Sequence, residues 1–382
     1  MENTLDNLRQ RLDVLDAELL RIFGERMEIV GEVAEYKRQE GLPTLDSKRE
    51  SQKLAALCQN AGEELAPYVH ILYDTIFELS RSHQGALRKE ASTLYDEVKA
   101  AMESTSKLFP QSATVACQGT EGAFSQQACE RLFRRPNIQH FRTFEGVFSS
   151  IENGFCDYGV IPLENSVAGS VNKVYSLLEK HSFKIVRSIR LKVDHALLVP
   201  SATKLEDIRE IYSHEQAIAQ CSAFLEGLAD VRIIPCENTA MAAQKVAESG
   251  RADVAAIASH ECARLYGLDC LARGIQDFAN NYTRFICVSK NLEIYPGADH
   301  TSIMVVLPHS PGALYKTLGR FYALGINLNK LESRPMPDRD FEFMFYFDLH
   351  TSVYSVEFGQ VLEEIRRACD EFKYLGSYSE VV

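Results

Sequence analysis

Residues 154–166 read GFCDYGVIPLENS, and residues 250–262 read GRADVAAIASHEC. In each, a helical pattern ends at a glycine, G-x-x-D follows, then an apolar strand, then a polar loop. Short apolar strands are expected at 114–117, 158–163, 192–199, 231–236, 253–258 and 284–289. Helical stretches fall between them at 124–134, 143–153, 171–180, 215–227 and 239–249. This alternation is an α/β pattern. The echo between the two quoted segments predicts two similar α/β lobes with a cleft between them, a common place for a ligand.

The surroundings of this segment bound the protein. The chain has 382 residues, enough for two to four domains at roughly 100–200 residues each. Hydrophobic residues make up 46% and charged residues 25%, which excludes a collagen-like or wholly disordered chain. The net charge is −12, so nucleic acid and anionic lipid are poor partners for the whole chain. No apolar run reaches the length of a membrane span. The opening MENTLDNLRQRLDVLD has no basic stretch followed by an apolar one, so no secretory signal is expected. The ten cysteines are scattered singly, without C-x-x-C or zinc spacing. They predict reduced, mostly buried thiols in a cytoplasmic protein that holds no metal. G-x-G is absent, and with it the usual dinucleotide fingerprint.

Residues before about 100 read as helix only. Leu5, Leu8, Leu12, Leu15, Leu19 and Ile22 follow a 3-4-3-4-3 spacing, a heptad seam that runs on through Ile29, Val33 and Tyr36. Gly41 and Pro43 stop this helix. A second helix is expected from Asp46 or Ser47, where Ser47 and Glu50 match a capping box. A third begins near Pro67. A first helix of about 35 residues is too long to bury its seam within so small a domain, which predicts a helical dimer. Residues 103–112 read as a linker.

Arg26 sits on the seam, where a cation costs desolvation energy unless an anion meets it. Lys37 returns to nearly the same face roughly 16 Å further on. Arg9 lies about 25 Å before Arg26 and rotated, and could join the same site only from a second, antiparallel chain. Ser80 and Gln84 are an i,i+4 pair. Taken singly, a snorkelling Arg26 or a capping Glu50 explains each residue. Together these positions resemble the all-helical chorismate mutase family over residues 3–90: Arg9, Arg26, Lys37, then Asp46, Arg49 and Glu50, then Ser80 and Gln84. The resemblance implies a Claisen rearrangement of chorismate to prephenate without a cofactor. By it, Arg9 of a partner chain, Arg26 and Arg49 clamp carboxylates. Lys37 and Gln84 donate to the breaking ether oxygen. Asp46 and Glu50 bind the ring hydroxyl, with Ser80 nearby.

Four motifs stand out in the α/β segment. Gly119 to Ser125 forms a glycine-bearing loop between strand and helix, able to present N–H groups to an anion. Glu164, Asn165 and Ser166 follow a buried strand. Ser213 and His214 open a helix that carries Gln220, and either could simply cap it. Thr283, Arg284 and Phe285 start the last strand. Thr239 either caps its helix or touches a ligand. P-L-E-N-S, S-H-x-Q-A-x-x-Q-C and N-x-T-R-F in this order resemble prephenate dehydratase over residues 113–290, with Thr120 and Ala123 departing from that family's glycine loop. The resemblance implies a two-lobed, periplasmic-binding-protein-like domain that converts prephenate to phenylpyruvate with loss of CO2 and water. Thr283 would donate to the leaving hydroxyl. Glu164, Asn165, Ser213, His214 and Gln220 would orient substrate or relay protons, with Ser166 and Phe285 at the substrate. Either Glu164 or His214 could be the proton source.

Residues 300–382 read strand, helix, strand, strand, helix, strand, a ferredoxin-like order. Gly312, Ala313 and Leu314 open its first helix, and Glu332, Ser333, Arg334 and Pro335 end a strand. This unit resembles an ACT domain of the phenylalanine-binding kind. Feedback by L-phenylalanine and a second pairing of chains follow as expectations. The chain as a whole resembles the bifunctional chorismate mutase/prephenate dehydratase family, with domains at 1–102, 113–290 and 300–382. Two other readings stand beside it: a non-catalytic amino-acid sensor, and an enzyme that prefers arogenate to prephenate.

Overall fold

The structure is a computed structural model that describes residues 5–43, 45–87, 93–228, 230–336, 342–355 and 358–382. Contacts divide the chain into two units, Met1–Thr93 with Gly359–Arg367, and Leu94–Phe358 with Ala368–Val382. Residues 113–290 and 300–382 therefore share one unit, apart from 359–367.

The first unit is helical. α1 runs Leu5–Gln39 and ends where Gly41 turns left-handed. Only Val30 and Ala34 of α1 are buried among its described residues. Leu12, Leu15, Leu19 and Ile22 stay exposed, so its own chain does not cover the seam. α2 runs Ser47–Leu87 but breaks at Gly62, whose φ of 76° and ψ of 167° suit glycine alone. Its two arms fold back on each other: Cys58 Sγ reaches Ala66 O at 3.6 Å, and Glu50 pairs with Arg81. The break expected near Pro67 thus falls five residues earlier. The cap is Asp46, whose Oδ1 accepts from Arg49 N at 3.0 Å. Glu50 turns to Arg81 instead of closing a capping box.

The second unit opens with α3, Thr93–Ser104, which takes the first residues of the expected linker. Its first sheet holds β1 (Thr114–Gln118), β2 (Asn137–Phe141), β3 (Tyr158–Asn165), β4 (Gly169–Ser170), β5 (Lys184–Lys192), β11 (Tyr282–Ser289) and β16 (Glu380–Val381). The order is β16-β5-β11-β3-β1-β2, with β4 on β3. α4 (Phe124–Leu132), α5 (Phe144–Glu152) and α6 (Asn172–Lys180) connect these strands. The second sheet holds β6 (His195–Val199), β7 (Glu210–Ser213), β8 (Arg232–Pro235), β9 (Val254–Ser259) and β10 (Asp269–Arg273), in the order β10-β6-β9-β7-β8. α7 (Glu215–Gln220), α8 (Ser222–Glu226), α9 (Thr239–Glu248) and α10 (His260–Tyr266) belong to this lobe.

The sequence echo is structural. α5 leads through Gly154 into β3 of one sheet, and α9 leads through Gly250 into β9 of the other, both glycines left-handed. The strand expected at 192–199 is in fact two, β5 and β6, in different sheets. Val193 and Asp194 are the crossing between lobes, and 274–281 is the return. Val193 N donates to Asn281 O at 2.8 Å, so the two crossings are tied together. The helix expected at 215–227 breaks at Cys221, and Asp277 of the return crossing accepts from Ser222 N and Ala223 N.

The third sheet holds β12 (His300–Val306), β13 (Asn327–Pro335), β14 (Phe343–His350) and β15 (Glu371–Tyr378), ordered β13-β14-β12-β15 and antiparallel throughout. With α11 (Ala313–Ala323) and α12 (Phe358–Ala368) this is the ferredoxin-like connection. Its inner face shares one core with the first sheet: Phe148, Tyr175 and Ile185 pack in the same cluster as Met304, Tyr346 and Leu375. β16 then crosses to pair with β5. Among the described residues no helix is long and apolar enough to cross a membrane.

Candidate active sites

In the helical unit, Arg26 Nη1 donates to Ser80 Oγ at 2.5 Å, and its guanidinium lies 5.9 Å from the Phe77 ring centroid. Ser80 and Gln84 are both buried, one turn apart on the second arm of α2. Gln84 Oε1 is buried with no partner among the described residues, a polar atom that lacks its hydrogen bond. Glu50 and Arg81 pair beside them. One chain thus joins Arg26 to Ser80, one turn from Gln84, while Glu50 meets Arg81, the residue after Ser80. Lys37 is half-buried and Arg49 exposed. Asp46 is exposed, and its Oδ1 caps α2. Arg9 is exposed and pairs with Asp6 at 3.6 Å, outside the group. Arg81 was not foreseen; it is one charge in a polar E-L-S-R-S run.

In the second unit, register decides what meets. β3 and β11 are antiparallel, with Thr283 opposite Asn165 and Arg284 opposite Glu164. Successive residues of a strand face opposite sides, so two separate clusters form back to back. On the first side, Asn165 Oδ1 accepts from Val167 N at 3.0 Å and Ala168 N at 2.8 Å. Backbone N–H groups only donate, so this fixes the amide's orientation. Asn165 Nδ2 therefore faces Thr283 Oγ1 at 2.9 Å and Asn281 Oδ1 at 2.7 Å. Gln220 Nε2 donates to Asn165 Oδ1 at 3.3 Å, and Gln220 Oε1 accepts from Asn281 Nδ2 at 2.9 Å. Asn165, Gln220 and Asn281 are buried, while Thr283 is half-exposed. Because Thr283 Oγ1 accepts from Asn165, its own hydrogen is left to donate outward. Gln220 belongs to the second lobe and Thr283 to the first, so the network bridges them next to the crossings.

Several expected residues lie elsewhere. Glu164 is on the opposite side of β3, paired with Lys330 at 2.5 Å and Arg284 at 3.3 Å. Burial works against its carboxylate, but Lys330 and Arg284 outweigh it and hold the pKa below the usual range. Its expected part in orienting substrate or relaying protons would thus act from the side of the strand away from Thr283. Ser213 is fully buried and donates to Ile257 O at 2.7 Å, joining β7 to β9. His214 caps α7, its Nδ1 accepting from Gln216 N at 3.2 Å, and burial pushes its pKa down. Ser166 closes the loop beside β11 through Asn280 O and Tyr282 N. Phe285 is core. Asn238, not Thr239, caps α9. The glycine loop is also occupied: the N–H groups of Gly119, Gly122 and Ala123 donate to Phe141 O, Gln126 Oε1 and Thr120 O. Thr120 Oγ1 instead reaches Asn238 Oδ1 across the lobes at 3.3 Å.

The second cluster surrounds Arg284, which is 4% exposed. It pairs with Glu164, Asp348 and Glu380 and donates to Tyr378 Oη at 3.0 Å. β13 meets the first lobe here: Ser170 Oγ donates to Glu332 at 2.8 Å, and Arg334 Nη1 donates to Asn172 O at 2.8 Å. Ser333 points away, and Gly312, Ala313 and Leu314 open α11 with Gly312 left-handed. Lys330 and Asp348 were not foreseen. Each is a single charge in a strand, a signal too common to single out. Among the described residues no group of three or more His, Cys, Asp or Glu could hold a metal ion.

Residues 115–293 match the prephenate dehydratase family, and residues 8–85 match the type II chorismate mutase family. A bifunctional chorismate mutase/prephenate dehydratase of Aquifex aeolicus is 32% identical across 99% of this chain and 98% of its own length. The chain belongs to the bifunctional chorismate mutase/prephenate dehydratase family. As a member of it, the chain is both an isomerase and a lyase of aromatic amino acid biosynthesis, with its mutase part in the helical unit and its dehydratase part on the two lobes. An arogenate dehydratase/prephenate dehydratase of Arabidopsis thaliana is 37% identical over 69% of this chain and 71% of its own. The crystal structure of a prephenate dehydratase in complex with L-Phe from Arthrobacter aurescens covers 70% of this chain and 89% of its own, at 28% identity and a TM-score of 0.64.

Proposed function

We propose that Thr283 is the hydrogen-bond donor to the departing hydroxyl of prephenate, and that the amide network sets its direction. The observation that carries this is the orientation of Asn165, fixed by two backbone N–H groups and therefore donating to Thr283 Oγ1. The ring carboxylate leaves as CO2, and its bonding pair enters the ring as the C–O bond breaks. The departing hydroxide takes one proton and becomes water. A threonine hydroxyl is too weak an acid to supply that proton outright, so Thr283 stabilises the leaving oxygen while the proton comes from solvent at its exposed side. Arg26, Ser80, Gln84 and Lys37 are the mutase half-site, folding a dicarboxylate and donating to its ether oxygen.

The third sheet reads as an ACT domain that takes L-phenylalanine and inhibits the dehydratase. Its strand order and the L-Phe complex of the Arthrobacter relative support this. The exposed seam of α1 supports self-association through a second copy. The buried free thiols of Cys117, Cys129, Cys221, Cys262 and Cys287 support a reducing, cytoplasmic setting. Proposed domain bounds remain 1–102, 113–290 and 300–382. A second reading, with arogenate as the preferred substrate, draws on the double name of the Arabidopsis relative.

A time course with chorismate alone, with and without L-phenylalanine, tests the assignment. Phenylpyruvate should form through prephenate, and phenylalanine should suppress it. Thr283→Ala should stop at prephenate, and Lys37→Ala should block the first step yet still convert added prephenate. Thr283→Ala with a parental dehydratase rate would remove Thr283 from the mechanism. Faster turnover of arogenate than of prephenate would favour the second reading.

A further inference from the structure

We infer that His195 is a positioning residue of the dehydratase site, locking Gln220 as a further donor to Asn165 Oδ1, beside Val167 N and Ala168 N, in the network that leaves Thr283 a donor; this rests on the reading of Thr283 given above. His195 opens β6, immediately after the first crossing between lobes, and is 3% exposed. Its backbone joins the crossings, with His195 N donating to Gln276 Oε1 at 2.9 Å and Ile275 N donating to His195 O at 3.2 Å. Its Nε2 lies 3.0 Å from Gln220 Oε1.

The direction of that bond follows from the rest of the network. Backbone N–H groups fix Asn165, so Gln220 must turn its Nε2 to Asn165 Oδ1 and its Oε1 to Asn281 and His195. A carbonyl oxygen only accepts, so His195 Nε2 carries the hydrogen. His195 Nδ1 is then a bare lone pair, buried without a partner among the described residues. Burial holds the imidazole pKa below its ordinary value, which keeps the ring neutral near pH 7.

An imidazole is a poor choice for packing alone. The ring stands edge-on to Phe124, centroids 6.0 Å apart, a site that phenylalanine would fill without stranding a nitrogen. Among the described residues the imidazole's one hydrogen bond goes to Gln220. The bond offsets the stranded nitrogen only if Gln220 must not turn. With His195 and Asn281 both donating to Oε1, turning the amide would face N–H groups against N–H groups. Donor order then runs His195 to Gln220, Gln220 to Asn165, Asn165 to Thr283, and Thr283 outward.

The full-length chain tests this with His195→Phe, His195→Gln and Thr283→Ala. Mutase turnover of chorismate serves as the internal gauge of an intact protein. His195→Phe should lower dehydratase kcat about tenfold, with KM for prephenate near the parental value. His195→Gln, which places an amide N–H near Gln220, should recover most of the rate. A parental kcat for His195→Phe overturns the inference, as does a change confined to KM. Equal loss in both variants at unchanged melting temperature also overturns it, because the lost property would then not be the donor. If Thr283→Ala is inactive while His195→Phe keeps the parental kcat, the inference fails alone. If Thr283→Ala keeps its rate, the reading of Thr283 fails and takes this one with it.

Discussion

Asn165 and Glu164 are adjacent on β3, and the register sends them to opposite duties. Asn165 faces Thr283 and the second lobe, while Glu164 faces Arg284 and Lys330. The argument for Thr283 rests on what Asn165 donates, so the sharpest change is one that keeps the shape and reverses the donor. In Asn165→Asp one carboxylate oxygen still accepts from Val167 N and Ala168 N, and the loop keeps its bonds. The other oxygen now accepts the Thr283 hydrogen and turns it away from the substrate. Dehydratase kcat should fall by about 100-fold or more, in line with the loss of a preorganised donor, while mutase turnover stays parental. Steady-state rates on prephenate and chorismate check this, and an unchanged dehydratase kcat would refute the donor argument. Much of this site is legible in the strings P-L-E-N-S and N-x-T-R-F. Strand alternation also says that residues 164 and 165 point apart. It does not say which face meets the second lobe, because that depends on where two other sheets dock. The side that Glu164 takes was not legible for that reason, and His195 was missed because a lone histidine opening an apolar strand reads as core.

At the scale of elements, the same logic separates what periodicity shows from what docking decides. The strands around 114–118, 158–165 and 284–289 are apolar, buried and bounded by turn residues, and they were readable. β2 was not, because its side chains are mostly exposed and carry no apolar alternation. β5 was not, because Arg187 and Arg190 interrupt its apolar residues, and those charges find partners only once Phe109, Glu380 and Ser379 come near. The pairing of the third sheet with the first was likewise invisible, since it depends on a backbone approach. Gly376 on β15 has a φ of 141°, and a Cβ there would stand 2.3 Å from Ile185 O of β5. A carbonyl oxygen within a hydrogen-bonded strand cannot step aside as a flexible side chain does. Gly376→Ala should therefore force β15 and β5 apart and cost about 1–3 kcal/mol of stability. Urea unfolding followed by the fluorescence of the many tyrosines measures it. A midpoint equal to the parental one would mean that the two sheets are not held at this spacing.

At the scale of the whole molecule, the helical unit carries more apolar surface than one chain can use. Leu5, Leu12, Leu15, Leu19 and Ile29 of α1 are all about half exposed or more. The 3-4 spacing made this seam readable, yet a single chain holds no geometry that says which copy it meets. Arg9 supplies the test. It lies too far along α1 to join Arg26, Ser80 and Lys37 of its own chain, whereas a second chain packed antiparallel on the seam would bring it there. If so, each mutase site takes Arg9 from one copy and Lys37 from the other. Arg9→Ala and Lys37→Ala should each be inactive as mutases while keeping full dehydratase activity. In a two-fold dimer mixed from both variants, one site loses both residues and the other keeps both. Random mixing makes about half of the dimers mixed, each with one intact site of two, so about a quarter of the parental mutase activity should return. Co-expression with distinct affinity tags isolates the mixed dimer, in which half the activity is expected. A purified mixed dimer without mutase activity would show that Arg9 and Lys37 act within one chain, and the seam would then serve association alone.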